Sequence, residues 1–235
     1  MIRGIQEHRL LLHIKDATLK VDLAGDYETM EVELQLHGSE MVLIHLQHPR
    51  QGSVLADVCA GLIQPQRGTV QFLGKDWSTL PPDMENALRG RIGRVFTVGN
   101  WISHLTLLEN ILLPQLHHTR RSTEELCEEA ERLAKGFGLP GVPAGFPDMF
   151  RREDLRIASC IRAFLGRPSL VMLEDPTMEA DPEMISHLIN AIRGVRGSGA
   201  AVIWMIVQDR IWRDRSIPAT SRHRLAGRKL VEVSG

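Results

Sequence analysis

An α/β fold with a mostly parallel core sheet, an antiparallel β-subdomain and a helical insert is what this sequence predicts. Three observations carry that prediction. The first forty residues alternate polar and apolar positions, as half-buried antiparallel strands do. From Met41 onward, continuous apolar runs of strand length alternate with helical patterns, as in a parallel sheet covered on both faces. A long helical stretch beginning at Ser122 interrupts that alternation.

Taken in order, "RLLLHIKDATLKVDL" and "TMEVELQL" have period-two character and are separated by turn residues at Ala24-Gly25-Asp26. "MVLIHL" is an uninterrupted apolar run, expected as a strand buried on both sides. Helical spacing follows in Val54, Leu55, Val58, Cys59 and Leu62, then a turn and edge strand in "QPQRGTVQFLGKD" and a further strand in "RIGRVFTV". Ser122 and Glu125 have capping-box spacing, and Leu126, Ala130, Leu133 and Phe137 share one helical face. "GLPGVPAGFPD" is a Pro/Gly-rich hinge before a second helix through Leu155, Ala158, Ile161 and Leu165. The apolar strand "SLVMLEDP" ends in two carboxylates. A helix from Met184 to Val195, the buried strand "AAVIWMIV" and the hairpin "HRLAGRKLVEV" complete the chain.

Composition excludes several function classes. Over 235 residues, 43% are apolar and 24% charged, with a formal net charge of −1, so no global field favours nucleic acid or an anionic membrane surface. Cys59, Cys127 and Cys160 lie far apart in apolar helical patterns and suit buried thiols in a reducing compartment better than a disulfide framework. The N-terminal apolar run is short for a signal peptide, and no stretch reaches the roughly 18 apolar residues of a membrane span. A cytoplasmic protein is expected. The ten histidines, including those of "HHTRRS", which suits a solvated loop, show no metal-ligand spacing. No nucleophile–histidine constellation is legible.

The order of these pieces resembles the nucleotide-binding subunit of ABC transporters along nearly the whole chain. "AGLIQPQRGTVQFLGKD" is similar to the segment after the phosphate-loop helix, and "LRGRIGRVF…HLTLLENILLP" to the strand, Q-loop and next helix. "IRAFLGRPSLVMLEDPT" resembles the signature helix running into Walker B, "EADPE" the D-loop, and "LAGRKLVEVSG" the terminal hairpin. The resemblance implies one ABC-type P-loop NTPase domain over residues 1–235, with its helical subdomain at approximately 100–165. It also implies Mg-ATP as cofactor, a second ABC subunit as dimer partner, and a permease as membrane partner. The chain would then sit peripherally on the cytoplasmic face of the inner or plasma membrane.

The residues that carry the family's chemistry depart from its pattern. In the phosphate loop, backbone N–H groups wrap phosphate, a lysine reaches the β/γ-phosphates and a hydroxyl holds Mg²⁺. Here the matching stretch is "LQHPRQGS": Leu46 and Gln51 stand at the two glycines, Gly52 at the lysine, and only Ser53 matches. Pro49 removes a further donor. Because a charged hydrogen bond is worth about 1.5–3 kcal/mol, ATP is expected to bind weakly or not at all. The loop is expected to serve as a plain strand-to-helix turn.

The signature stretch is Phe150-Arg151-Arg152-Glu153-Asp154, where two acids replace small residues beside the partner's phosphate. An ordinary charged helix start is expected, although Arg151 and Arg152 would be long enough to reach phosphate. The Walker B pair is reversed to Glu174-Asp175, leaving Ser53 and Glu174 as residual Mg²⁺ positions and Asp175 at the base position. The Q-loop glutamine position is Thr97 and the switch-histidine position is Gln208, which carries no titratable proton. The stacking aromatic falls near Val21, with Tyr27 a poor substitute.

Other features resemble the family more closely. Asp181 in the D-loop is the expected dimer contact. The Q-loop region keeps its length, and Trp101-Ile102 after Gly99 is the expected permease contact, similar to the Mla/MCE lipid-transport class. A catalytically degenerate transporter subunit (a pseudo-ATPase with a structural or regulatory role) accounts best for this combination. The alternatives are a slow but genuine ATPase using Ser53, Glu174 and Asp175, and a soluble interaction module on the same scaffold.

Overall fold

The computed structural model describes residues 9–178 and 182–233, and in it the alternating N-terminal segment forms a long antiparallel hairpin. Strand β1 (Leu10–Leu23) pairs with β2 (Asp26–His37), and Ala24 and Gly25 turn the chain with positive φ of 60° and 114°. Strand β4 (Arg67–Phe72) pairs antiparallel with β1, and the two-residue β5 (Lys75–Asp76) closes the edge.

The remaining strands are β3 (Met41–His45), β6 (Ile92–Val95), β7 (Leu170–Glu174), β8 (Ala201–Ile206), β9 (Ser221–Ala226) and β10 (Lys229–Glu232). Among the described residues one ten-stranded sheet results, in the order β5-β4-β1-β2-β10-β9-β3-β8-β7-β6. The run β9-β3-β8-β7-β6 is parallel throughout. Strands β9 and β10 form the antiparallel terminal hairpin.

Strand β3 shows why its sequence is apolar without alternation. Val42 and Ile44 belong to the core beneath α1 (Pro49–Cys59), while Met41 and Leu43 belong to the core on the opposite face. That second core is built from α3 (Leu107–His118), α4 (Thr123–Gly136), α5 (Arg152–Phe164) and α6 (Pro182–Gly197). The predicted capping box closes α4, where the Ser122 hydroxyl accepts from Glu125 N–H and the Glu125 carboxylate accepts from Ser122 N–H.

Some elements differ from expectation. Helix α1 begins at Pro49 and ends at Cys59, so the turn is confined to residues 46–48 and Leu62 lies outside the helix, 57% exposed. Proline suits the first helical position because its missing N–H has no helical partner there. The short α2 (Pro82–Arg89), not among the expected elements, buries none of its residues. His117 and His118 form the last turn of α3 instead of a loop. Helix α7 (Asp209–Arg213) is a single short segment after β8. Cys59 and Cys160 are buried and free, whereas Cys127 is half-buried.

Candidate functional site

The parallel strands β3, β7 and β8 end side by side, and the buried polar residues His45, Gln51, Glu174, Asp175 and Thr177 lie at or just after those ends. From Leu46 to Gln51 the backbone donors are all accounted for. Leu46 N–H donates to the Ile206 carbonyl at 2.8 Å, and the N–H groups of Gln47 and His48 both donate to Gln51 Oε1 at 3.0 Å. Pro49 has no donor. Arg50 N–H donates to His48 Nδ1 at 3.1 Å, and Gln51 N–H to the His48 carbonyl at 3.0 Å. Gln51 is 2% exposed, and its Nε2 donates to Glu28 on β2 at 3.3 Å. A side-chain amide oxygen thus occupies the nest of N–H groups at the start of α1.

The recess in front of this loop is lined by Leu46, Pro49, Gly52, Thr97, Glu174 and Asp175, and it is too narrow to admit a water molecule. Gly52 lies under Leu46, whose Cδ1 would stand 3.4 Å from a Cβ placed there.

Glu174, the last residue of β7, is 2% exposed and fully engaged. Its Oε2 accepts from the hydroxyls of Ser53 at 2.7 Å and Thr97 at 3.2 Å, and its Oε1 accepts from Arg94 Nε at 2.6 Å. Arg94 also donates to Asp57 Oδ1 at 2.6 Å and to the Ser53 carbonyl at 3.2 Å, and its guanidinium lies over the Phe96 ring. The neighbouring Asp175 faces away from this cluster. It takes a positive φ of 43°, and its Oδ1 accepts from Val207 N–H at 3.3 Å. Burial pushes its pKa up to about 6, partly opposed by that hydrogen bond and by Arg156.

Beyond Thr97, the 96–102 loop is strapped to α5 by two arginines. Arg156 donates to the carbonyls of Phe96 at 3.1 Å and Thr97 at 3.3 Å, and Arg162 to that of Gly99 at 2.8 Å. Arg162 also stacks on Trp101 at 4.4 Å, and burial pulls its pKa down to about 10. Ile102 is held from the other side, since its N–H donates to Asn110 Oδ1 at 2.8 Å. Thr97, Trp101, Arg152, Arg156 and Met178 line a cavity of about 530 Å³ between this loop and α5.

No protein-family model matches the chain. Octopine permease ATP-binding protein P of Rhizobium meliloti is 28% identical over 156 residues, 62% of this chain and 60% of that protein. The ATP-binding protein of the lipoprotein-releasing system of Pseudomonas syringae pv. tomato is 27% identical over 179 residues, 76% of this chain and 78% of that protein. Among solved structures, the dimeric bacterial ABC transporter cassette MJ0796 superposes with a TM-score of 0.80 at 18% identity, covering 96% of this chain and 100% of that one.

The chain has the ABC-type ATPase fold.

On that fold the remaining predicted positions can be located. Phe150 packs against the second core, Arg151 precedes α5 with its side chain 81% exposed, and Arg152 opens the helix. Glu153 and Asp154 lie in its first turn, where their charge favours the helix N-terminus, and Asp154 pairs with Arg151 at 3.5 Å. Gln208 precedes α7 and makes no capping bond. Val21 is fully buried in β1, and Tyr27 is 64% exposed with the Lys20 ammonium 3.8 Å from its ring centre. The D-loop residue Asp181 lies outside the described residues.

The ABC fold implies a magnesium nucleotide, and these residues do not fit one as they are arranged. The N–H nest holds Gln51, the lysine is absent, and both oxygens of Glu174 are committed. The structure brings together Ser53, Thr97 and Glu174 from the predicted set, but around Arg94 instead of an open cation position.

Arg94, Arg156 and Arg162 are the residues that sequence reasoning missed, and it did not foresee that Gln51 fills the nest. The available signal for Arg94 was the one arginine within the strand "IGRV". At Gly93 the backbone of Ala163 on α5 would crowd a Cβ, so the alternation of the strand sends Arg94 toward α1.

Proposed function

We propose that this chain is an ABC transporter ATP-binding-type subunit whose own nucleotide site is inactive. It would serve a membrane transport complex in a structural or regulatory role. The observation that carries this reading is the Gln51 amide seated in the phosphate nest, bonded to two N–H groups that would otherwise face a phosphate. A ligand would have to break those bonds and reopen the recess without a lysine to offset the cost. The altered signature stretch, Phe150 to Asp154, supports the same conclusion for the face expected to meet a partner's phosphate.

The relatives named above are, by their descriptions, ATP-binding proteins of permease and releasing systems. No described helix is long and apolar enough to cross a membrane. Peripheral attachment through a permease, on the cytoplasmic face, is therefore the placement we propose. The partners are that permease, at the Thr97–Ile102 region, and a second ABC subunit. Lipid is the proposed cargo class, supported by the Gly99–Ile102 stretch alone.

Calorimetry of the purified chain with ATP and Mg²⁺ tests the reading. No binding at millimolar nucleotide is the expected result. Micromolar binding, with hydrolysis abolished by Asp175→Asn, would make the chain a working ATPase instead.

A further inference from the structure

We infer that the Arg94 guanidinium is a built-in cation, standing at the Ser53–Asp57–Glu174 oxygen cluster in place of a divalent ion. The inference rests on reading residues 46–53 as a former phosphate loop, but it concerns the metal and not the nucleotide. Three donors of one side chain serve three oxygen acceptors from α1 and β7: Nε to Glu174 Oε1 at 2.6 Å, Nη1 to Asp57 Oδ1 at 2.6 Å, and Nη2 to the Ser53 carbonyl at 3.2 Å. With side chains 9% and 2% exposed, Arg94 and Glu174 are both withdrawn from solvent. A carboxylate so buried requires a fixed counter-charge, and the Arg94 fork supplies one.

The fork geometry fixes the assignment. A divalent ion at this position would draw its ligands from Glu174 and the Ser53 hydroxyl. Instead, Ser53 Oγ donates its proton to Glu174 Oε2 at 2.7 Å, and Thr97 adds a second donor to the same atom at 3.2 Å. The remaining oxygen is bonded to Arg94. The longer arm of glutamate at 174 brings the carboxylate to the guanidinium, and Phe96 covers the guanidinium face with its ring centre 4.4 Å away. The buried Glu174 charge is thus balanced by the chain itself, and the geometry of the cluster does not depend on metal supply.

The test uses Mn²⁺ as probe, followed by electron paramagnetic resonance, together with thermal melts in Mg²⁺ and in EDTA. The wild-type chain is expected to bind no Mn²⁺ at this cluster and to melt at the same temperature in both solutions. Arg94→Ala uncovers the oxygens and is expected to bind Mn²⁺ at least about tenfold more tightly than wild type. Glu174→Gln in that background is expected to remove the gain.

Folded Arg94→Ala protein without any gain in Mn²⁺ binding would overturn the inference, as would wild-type Mn²⁺ binding that Glu174→Gln abolishes. If Arg94→Ala does not fold, Arg94→Met combined with Glu174→Gln removes both charges. That pair should melt above either single variant, and failure to do so also overturns the inference. Nucleotide binding by a wild-type chain that remains indifferent to Mn²⁺ would sink the inactive-site proposal alone. Mn²⁺ binding without nucleotide binding would sink the built-in cation alone.

Discussion

The two adjacent carboxylates at the end of β7 reach different partners. Glutamate at 174 extends to Arg94, while aspartate at 175 folds back onto Val207 N–H in a left-handed conformation that Asp tolerates better than most residues. Its raised pKa has a direct consequence for stability. Below about pH 3 Asp175 is protonated in both folded and unfolded chains. Between its ordinary pKa of 3.8 and the folded value of about 6 the unfolded chain loses the proton first, so stability falls through that window and stays lowered above it. Asp175→Asn keeps an acceptor for Val207 and the same backbone preference without the charge. It should raise stability by roughly 1–3 kcal/mol at pH 8 and leave it nearly unchanged at pH 3, measured by urea unfolding. Equal effects at both pH values would show that the buried charge is not the cause. The cysteines give a second prediction at this scale. Burial pushes the thiols of Cys59 and Cys160 up to about 12, so in native protein at pH 8 a thiol reagent should modify the half-buried Cys127 alone.

At the scale of elements, the start of α1 is stabilised by the side chain that blocks it. Gln51 satisfies two backbone donors and ties β2 through Glu28. Its replacement by alanine should cost about 1–2 kcal/mol, read from denaturant unfolding at constant m-value. Restoring a lysine at 52 is sterically mild, because the nearest atom to a new Cβ is Leu46 Cδ1 at 3.4 Å. Gly52→Lys should therefore fold, yet still fail to bind ATP in calorimetry while Gln51 keeps the nest filled. The strap between α5 and the 96–102 loop is tested through its tryptophan. Arg162→Ala removes the stack on Trp101 and the bond to the Gly99 carbonyl, so emission should shift to the red as Trp101 gains water. An unchanged spectrum would mean that Arg156 and Asn110 hold the loop unaided.

Across the whole molecule, the central strands serve both hydrophobic cores, and that sharing couples the two faces. Ile44 contributes to the core under α1, and Leu43 to the core under α5 and α6. Ile44→Ala should cost about 2–5 kcal/mol and lower a single unfolding transition seen by both far-ultraviolet circular dichroism and tryptophan emission. Two separated transitions would show that the helical layer unfolds independently.

The order of strands and helices was legible because burial on two faces demands continuous apolar runs, as in "MVLIH" and "LVMLE", while burial on one face demands alternation, as in β1 and β2. The cap of α4 was legible because capping is local in sequence. Residue types alone also showed that residues 46–53 hold no lysine, which needs no coordinates to notice. Which side chains meet at the strand ends was decided only by tertiary structure. Gln51 meets Glu28 across 23 positions, and Arg94 meets Glu174 across 80. No periodicity reports such pairings, because they depend on which strand ends the sheet order places side by side. The sequence determined that residues 46–53 hold no lysine; the folded chain determined that the Gln51 amide fills the N–H nest and that the Arg94 guanidinium meets Glu174.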